Sequence, residues 1–117
     1  MKTLDYQENI FKALSDKSRI RIIKMLQKKP LCVCEITAIL KLATSTVSNH
    51  LSVLTDANLI IGEKDGKWIN YRINTNPKDN IISSVLLYLQ FILEEDETIL
   101  KDRSIIEKVD RVILCCK

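Results

Sequence analysis

The run Thr44-Ser45-Thr46-Val47-Ser48-Asn49-His50-Leu51-Ser52-Val53-Leu54-Thr55-Asp56, followed by Leu59-Ile60-Ile61-Gly62-Glu63-Lys64-Asp65-Gly66-Lys67-Trp68-Ile69-Asn70-Tyr71-Arg72-Ile73, decides the fold. Its first half has a helical period. At about 100° per residue, Ala43, Leu51, Leu54 and Asn58 gather on the Val47 face. Ser45, Ser48, Asn49, Ser52 and Asp56 take the opposite face, which is short, polar and almost uncharged. The second half alternates instead, and Asp65-Gly66 between its two runs predicts a β-hairpin with a type I′ turn. In that register Lys64 and Lys67 stand directly across from each other, a like-charge pairing that an adjacent phosphate would relieve.

Upstream, the pattern predicts a helix over 4–15 and a second from an Asp16 cap through Gln27, burying Ile20, Ile23 and Leu26. Pro30 then interrupts the chain, and a short helix over 33–40 points Ile36, Ile39 and Leu40 inward. The break Lys41-Leu42-Ala43 leads to Thr44, expected as the N-cap of the helix that runs to Ala57. Downstream of Pro77, helices are expected over 80–93 and 98–114, separated by Glu94-Glu95-Asp96-Glu97.

Helix, short break, helix and hairpin in that order make a winged helix-turn-helix, mainly α with a two-stranded β-hairpin. A helix that enters a major groove needs short hydrogen-bonding side chains outward. Thr44, Ser45, Thr46, Ser48, Asn49 and Ser52 meet that need, and Lys64, Lys67 and Arg72 of the wing are the candidate phosphate contacts. Charge agrees with the front of the chain meeting an anion. Residues 1–40 hold 8 basic and 4 acidic side chains, 41–73 hold 4 and 3, and 74–117 hold 6 and 8. The sole histidine, His50, falls near the edge of the buried face and reads as a partly buried, hydrogen-bonded structural residue. Tyr71 is expected in the core, and Trp68 at a helix edge or on the wing surface.

The 117 residues fit one domain, residues 1–117, with helices at both termini available for dimerisation. The 81–93 segment is apolar nearly all round, which calls for cover from a second copy of the chain. A two-fold dimer would suit half-sites about 34 Å apart on double-stranded operator DNA. Two acids among the first eight residues leave no room for a signal-peptide core, and no stretch is long and apolar enough to span a membrane. A cytoplasmic protein is expected. Thiols stay reduced there, so the four cysteines read as ligands, sensors or core filler rather than a disulfide framework.

Cys32 and Cys34 open the helix before the proposed recognition helix, and Cys115-Cys116 stand next to Lys117. Residues two apart diverge on an ideal helix but lie to the same side of an extended chain. Cys32 and Cys34 can therefore share one ion only where the helix start is extended or unwound. Soft thiolates select thiophilic ions.

Four motifs together resemble the arsenical-resistance (ArsR/SmtB) family of winged-helix metalloregulatory repressors. They are Ala13-Leu14-Ser15-Asp16-Lys17-Ser18-Arg19, Leu31-Cys32-Val33-Cys34-Glu35-Ile36, Ser45-Thr46-Val47-Ser48-Asn49-His50-Leu51 and Asp65-Gly66-Lys67-Trp68. The resemblance implies a homodimeric repressor that binds its operator without inducer and leaves it when inducer binds. In members with a Cys-Val-Cys motif it implies arsenic(III) or antimony(III), held by three thiolates. Cys32 and Cys34 match two of them. Where several members carry a third cysteine this chain has Thr37, which leaves Cys115 or Cys116, from either subunit. Members that sense cadmium or lead add an N-terminal cysteine absent here, and the histidines of the family's other site are absent from the last helix. A cadmium- or lead-responsive repressor and a thiol redox or persulfide sensor are the alternatives within this fold, and a protein-interaction module without operator is the alternative outside it. An enzyme is not expected, since a nucleophile–base pair would rest on Cys and His50 alone.

Overall fold

The protein is described by a computed structural model over residues 3–108. Local signals start the helices where they are expected. α1 (Leu4–Leu14) is capped by Thr3, whose hydroxyl accepts the Tyr6 N–H. α2 (Lys17–Leu26) begins at Asp16, whose carboxylate accepts the N–H groups of Ser18 at 2.8 Å and Arg19 at 3.1 Å. α3 (Val33–Leu40) stops at Lys41, which takes the left-handed conformation with φ 58°. The turn to α4 (Thr44–Asp56) is short, and the N-cap is Ala43 rather than Thr44.

A strand stands where only a helix start was expected. β1 (Leu31–Cys32) pairs antiparallel with β3 (Trp68–Ile73), with Leu31 opposite Tyr71 and Cys32 opposite Asn70. With β2 (Ile60–Asp65) the sheet has three strands in the order β1-β3-β2. The expected two-stranded hairpin is thus extended by a strand too short to carry a periodicity of its own.

The hairpin register also differs from the expected one. Asp65 faces Trp68, so Gly66 and Lys67 form the turn, and Lys64 faces Ile69. Gly66 has φ +64°, whereas Lys67 keeps negative φ. Glycine alone at the first turn position is the pattern of a type II′ turn, and it spares Lys67 a left-handed backbone. The Asn70 side chain donates to Asp65 at 3.1 Å across this end of the hairpin. The opposed Lys64–Lys67 pair does not form.

The core lies where α1–α4 meet the sheet and α5 (Asn80–Phe91). Ile10, Ile22, Ile23, Leu31, Ile36, Val47, Leu51, Leu54, Leu59, Ile60 and Ile82 are fully enclosed. Each such side chain contributes about 1.5–3 kcal/mol by leaving water. Ile20 is only half-buried, and Lys24 lies inside instead. Ala43 and Asn58, expected on the inner face of α4, are exposed because they lie beyond its ends, Asn58 with φ 64°.

The end of α5 is set from α2. Lys24 Nζ donates to the Leu89 carbonyl at 2.7 Å and pairs with Glu94 at 2.6 Å, and Gln27 donates to the same carbonyl at 3.1 Å. α5 therefore stops at Phe91, short of the expected Leu93, which takes φ 62°. α6 (Glu97–Ile106) starts one residue ahead of expectation because Asp96 caps it, accepting from Thr98 and Ile99. It gives way to a turn at residues 107–108, and the rest of the helix expected to Leu114 lies outside the described residues. No helix among the described residues is long and apolar enough to cross a membrane.

Candidate nucleic-acid interface and thiolate site

α4 divides as its sequence predicts. Val47, Leu51 and Leu54 are buried, while Thr44, Ser45, Thr46, Ser48, Asn49 and Ser52 are all exposed. The helix has no acid in its first turn, and Ala43 supplies no side-chain cap to the leading N–H groups. Asp56, the one acid on the polar face, sits at the far end. The open face thus presents hydroxyls and one amide, groups that both donate and accept.

The wing residues separate. Lys64 and Lys67 are exposed near the turn, with Lys67 Nζ 5.1 Å from the centroid of the Trp68 ring. Arg72 lies at the other end of β3 and donates to Glu63 at 2.7 Å. That bond holds the Glu63 carboxyl below its ordinary range and raises the Arg72 guanidinium. Tyr71 packs against the core, as expected, and Trp68 is half-buried.

His50 is a structural residue. Its side chain is 12% exposed, and Nδ1 lies 3.1 Å from a terminal nitrogen of Arg19. The same guanidinium donates to the carbonyls of Ala13 at 2.9 Å and Lys12 at 3.1 Å.

Cys32 and Cys34 occupy different backbone states. Cys32 belongs to β1 and is also the extended N-cap of α3, with φ −92° and ψ 170°, while Cys34 lies in the first helical turn. Of the two, only Cys32 is extended, since Val33 and Cys34 already belong to α3. Glu35, itself buried, accepts the Cys32 N–H at 2.9 Å, and the Cys32 side chain faces the Glu35 N–H in return, a capping box with sulfur in the usual hydroxyl position. Burial pushes the Cys32 thiol above its ordinary range, and the neighbouring Glu35 carboxylate pushes it the same way, against the opposing pull of the Glu35 and Cys34 N–H groups. Cys34 is disulfide-bonded, contrary to a fully reduced set. Cys115 and Cys116 lie outside the described residues. Among the described residues no cluster of three His, Cys, Asp or Glu side chains is poised around a metal site.

Sequence reasoning missed Glu35, Arg19 and Lys24. The Cys32-Val33-Cys34-Glu35 spacing carried the signal for Glu35, since a capping box places an acid three residues after the cap. The other two make contacts distant in sequence, which no local pattern announces.

Residues 16–61 match the profile of the bacterial regulatory protein family arsR. The chain is 39% identical over 80 residues to an arsenical resistance operon repressor of Bacillus subtilis, covering 68% of this chain and 76% of that protein. It is 31% identical over 80 residues to a cadmium resistance transcriptional regulatory protein CadC homolog of Staphylococcus aureus, covering 68% and 66%. Against the arsenical resistance operon repressor of Escherichia coli and the arsenic resistance transcriptional regulator of Pseudomonas putida it spans 56% and 52% of their length. In fold it resembles a homodimeric winged helix-turn-helix DNA-binding domain of Mycobacterium bovis, with TM-score 0.64 and 22% identity over 80% of this chain and 83% of that one. The open polar face of α4, the wing beside it and these likenesses agree: the chain belongs to the ArsR family of DNA-binding transcriptional regulators and is not an enzyme.

Proposed function

We propose that this chain is a cytoplasmic, homodimeric repressor that holds operator DNA and releases it when arsenic(III) or antimony(III) binds its cysteines. Residues 1–117 act as one winged-helix domain with dimerising terminal helices. Thr44, Ser45, Thr46, Ser48, Asn49 and Ser52 read the major groove, and Lys64 and Lys67 meet phosphates. Arg72 joins them by exchanging its Glu63 partner for a phosphate.

The observation that carries the inducer reading is where the first two cysteines sit. Cys32 is in the strand paired to wing strand β3, and Cys34 is in the helix that leads into α4. An ion drawing the two sulfurs together pulls on both halves of the DNA-binding unit at once. Coupling of this kind is typically about 1–3 kcal/mol. Thr37 supports the fit. Its hydroxyl, one turn beyond Cys34, is buried without a hydrogen-bond partner, as suits an atom awaiting a bound group. Two thiols condensing with arsenous acid form two As–S bonds, break two As–O bonds and release two waters. A third thiol, from Cys115 or Cys116, would replace the last hydroxyl.

Titration of the reduced protein, followed by ultraviolet thiolate–arsenic absorption, tests this reading and its cadmium or lead alternative. One arsenite per subunit is expected, weakened by Cys115→Ser/Cys116→Ser. Divalent cations displace thiol protons, so cadmium binding should strengthen as pH rises through the elevated range of Cys32. The arsenite condensation releases no net protons and should change little. Cadmium binding without arsenite binding would move the protein to the other inducer. The Cys34 disulfide favours a redox-sensing reading as second choice. Oxidant-driven operator release that needs no ion would establish it.

A further inference from the structure

We infer that Arg19 and His50 are a positioning pair that fixes the recognition helix to α1, so that the orientation of α4 on DNA depends on one side-chain contact. The inference rests on the operator binding proposed above. All three guanidinium nitrogens of Arg19 are engaged: Nε with the Ala13 carbonyl, one terminal nitrogen with the Lys12 carbonyl and the other with His50 Nδ1. Lys12 and Ala13 are in the last turn of α1, where the Lys12 carbonyl also accepts the Ser15 N–H at 3.2 Å and the Ser15 hydroxyl at 2.9 Å. Arg19 thus closes the end of α1 and reaches α4 with the same rigid plane, a geometry that lysine cannot copy. Its root is fixed as well, since the Arg19 N–H is held by Asp16 at 3.1 Å.

The contact prescribes the state of the ring. A guanidinium only donates, so Nδ1 must accept and the ring proton belongs on Nε2. Nε2 lies 4.0 Å from Asp16 Oδ1, on the side where a carboxylate favours that proton. His50 is half-turned away from solvent, and the open groove-facing residues Ser48, Asn49 and Ser52 flank it in sequence. It is therefore placed to orient those side chains rather than to touch bases itself. Loss of the contact should free α4 to rotate about its buried Val47–Leu51–Leu54 stripe and blur the fit to the groove.

The test compares His50→Asn, His50→Gln and His50→Ala for affinity to operator and to unrelated DNA at one salt concentration. Asparagine returns an acceptor at the δ position, while glutamine carries its acceptor one bond too far. His50→Asn should bind operator within about twofold of wild type. The other two should lose about tenfold, as expected for a hydrogen bond to a charged group, with unrelated DNA and dimer mass unchanged. Equal operator affinity in all three, whether at the wild-type level or uniformly lowered, would overturn the proposal. A wild type that binds no operator would instead remove the repressor reading on which it rests. A measurement without substitution guards against misfolded variants: His50 is the only histidine, so its imidazole nitrogen-15 signals are unique. They should show an unprotonated Nδ1 and a protonated Nε2, and a protonated Nδ1 would refute the contact.

Discussion

Asp16 shows how much one side chain can settle. Its carboxylate starts α2 by accepting two N–H groups, and it stands beside the Arg19–His50 contact. Burial alone would raise its pKa, but the Arg19 N–H, the His50 charge, the Ser18 N–H and the Arg19 charge together outweigh that and lower it. A lowered folded pKa means that the charged cap stabilises the protein above the unfolded value and is lost as pH falls through the folded one. Asp16→Ala should cost about 1 kcal/mol at neutral pH, the usual loss for such a cap, with a smaller difference from wild type in acid. Urea unfolding at both pH values checks this. An unshifted midpoint at neutral pH would contradict the assigned role.

At the scale of elements, the sequence was most legible where one period ran long enough to be read. α4 and the hairpin were recognisable because their inward and outward positions alternate over thirteen and six residues. β1 escaped because it spans two residues and exists only through its partner β3. The turn moved by one residue because Asp65-Gly66 permits two registers, and a local pattern cannot choose between them. The candidate groove face was legible for the same reason as α4. The arrangement of Cys32 with Glu35, and the tie from Arg19 to His50, depend on packing between segments that sequence spacing does not bring together.

The junction of α2, α5 and α6 was the least legible of all. Lys24, whose side chain is 1% exposed, pairs with Glu94, and Arg103 reaches the same carboxylate at 3.1 Å. Nearby, Arg21 and Asp102 join α2 to α6 through two bonds of 2.8 Å. Without Lys24 the part-exposed Glu94 keeps Arg103 and the Leu89 carbonyl keeps Gln27, so an apolar side chain of similar volume leaves no buried charge unpaired, whereas truncation leaves a cavity. Lys24→Met should therefore melt close to wild type and Lys24→Ala well below it. If Lys24→Met melts as low as Lys24→Ala, the ammonium itself is what holds the junction.

At the scale of the whole molecule, the exposed apolar side chains are unevenly spread. Tyr88 and Phe91 of α5 are 65% and 76% exposed, and Leu4 and Phe11 of α1 are exposed as well. Large apolar side chains gathered on the outer helices mark an association surface. Covering them with a second copy would join two recognition helices into the two-fold arrangement that a palindromic site requires. Phe91→Glu should halve the mass seen by sedimentation while leaving the circular dichroism helical. An unchanged mass would mean that the dimer, if formed, uses another face.

In the proposed switch, ion binding at Cys32 and Cys34 releases DNA. Fluorescence anisotropy of a labelled operator, with reduced protein and increasing arsenite, tests it most directly. Arsenite should release the wild type, while Cys32→Ser and Cys34→Ser should bind operator equally well and stay bound. Release of either variant at the wild-type dose would contradict it.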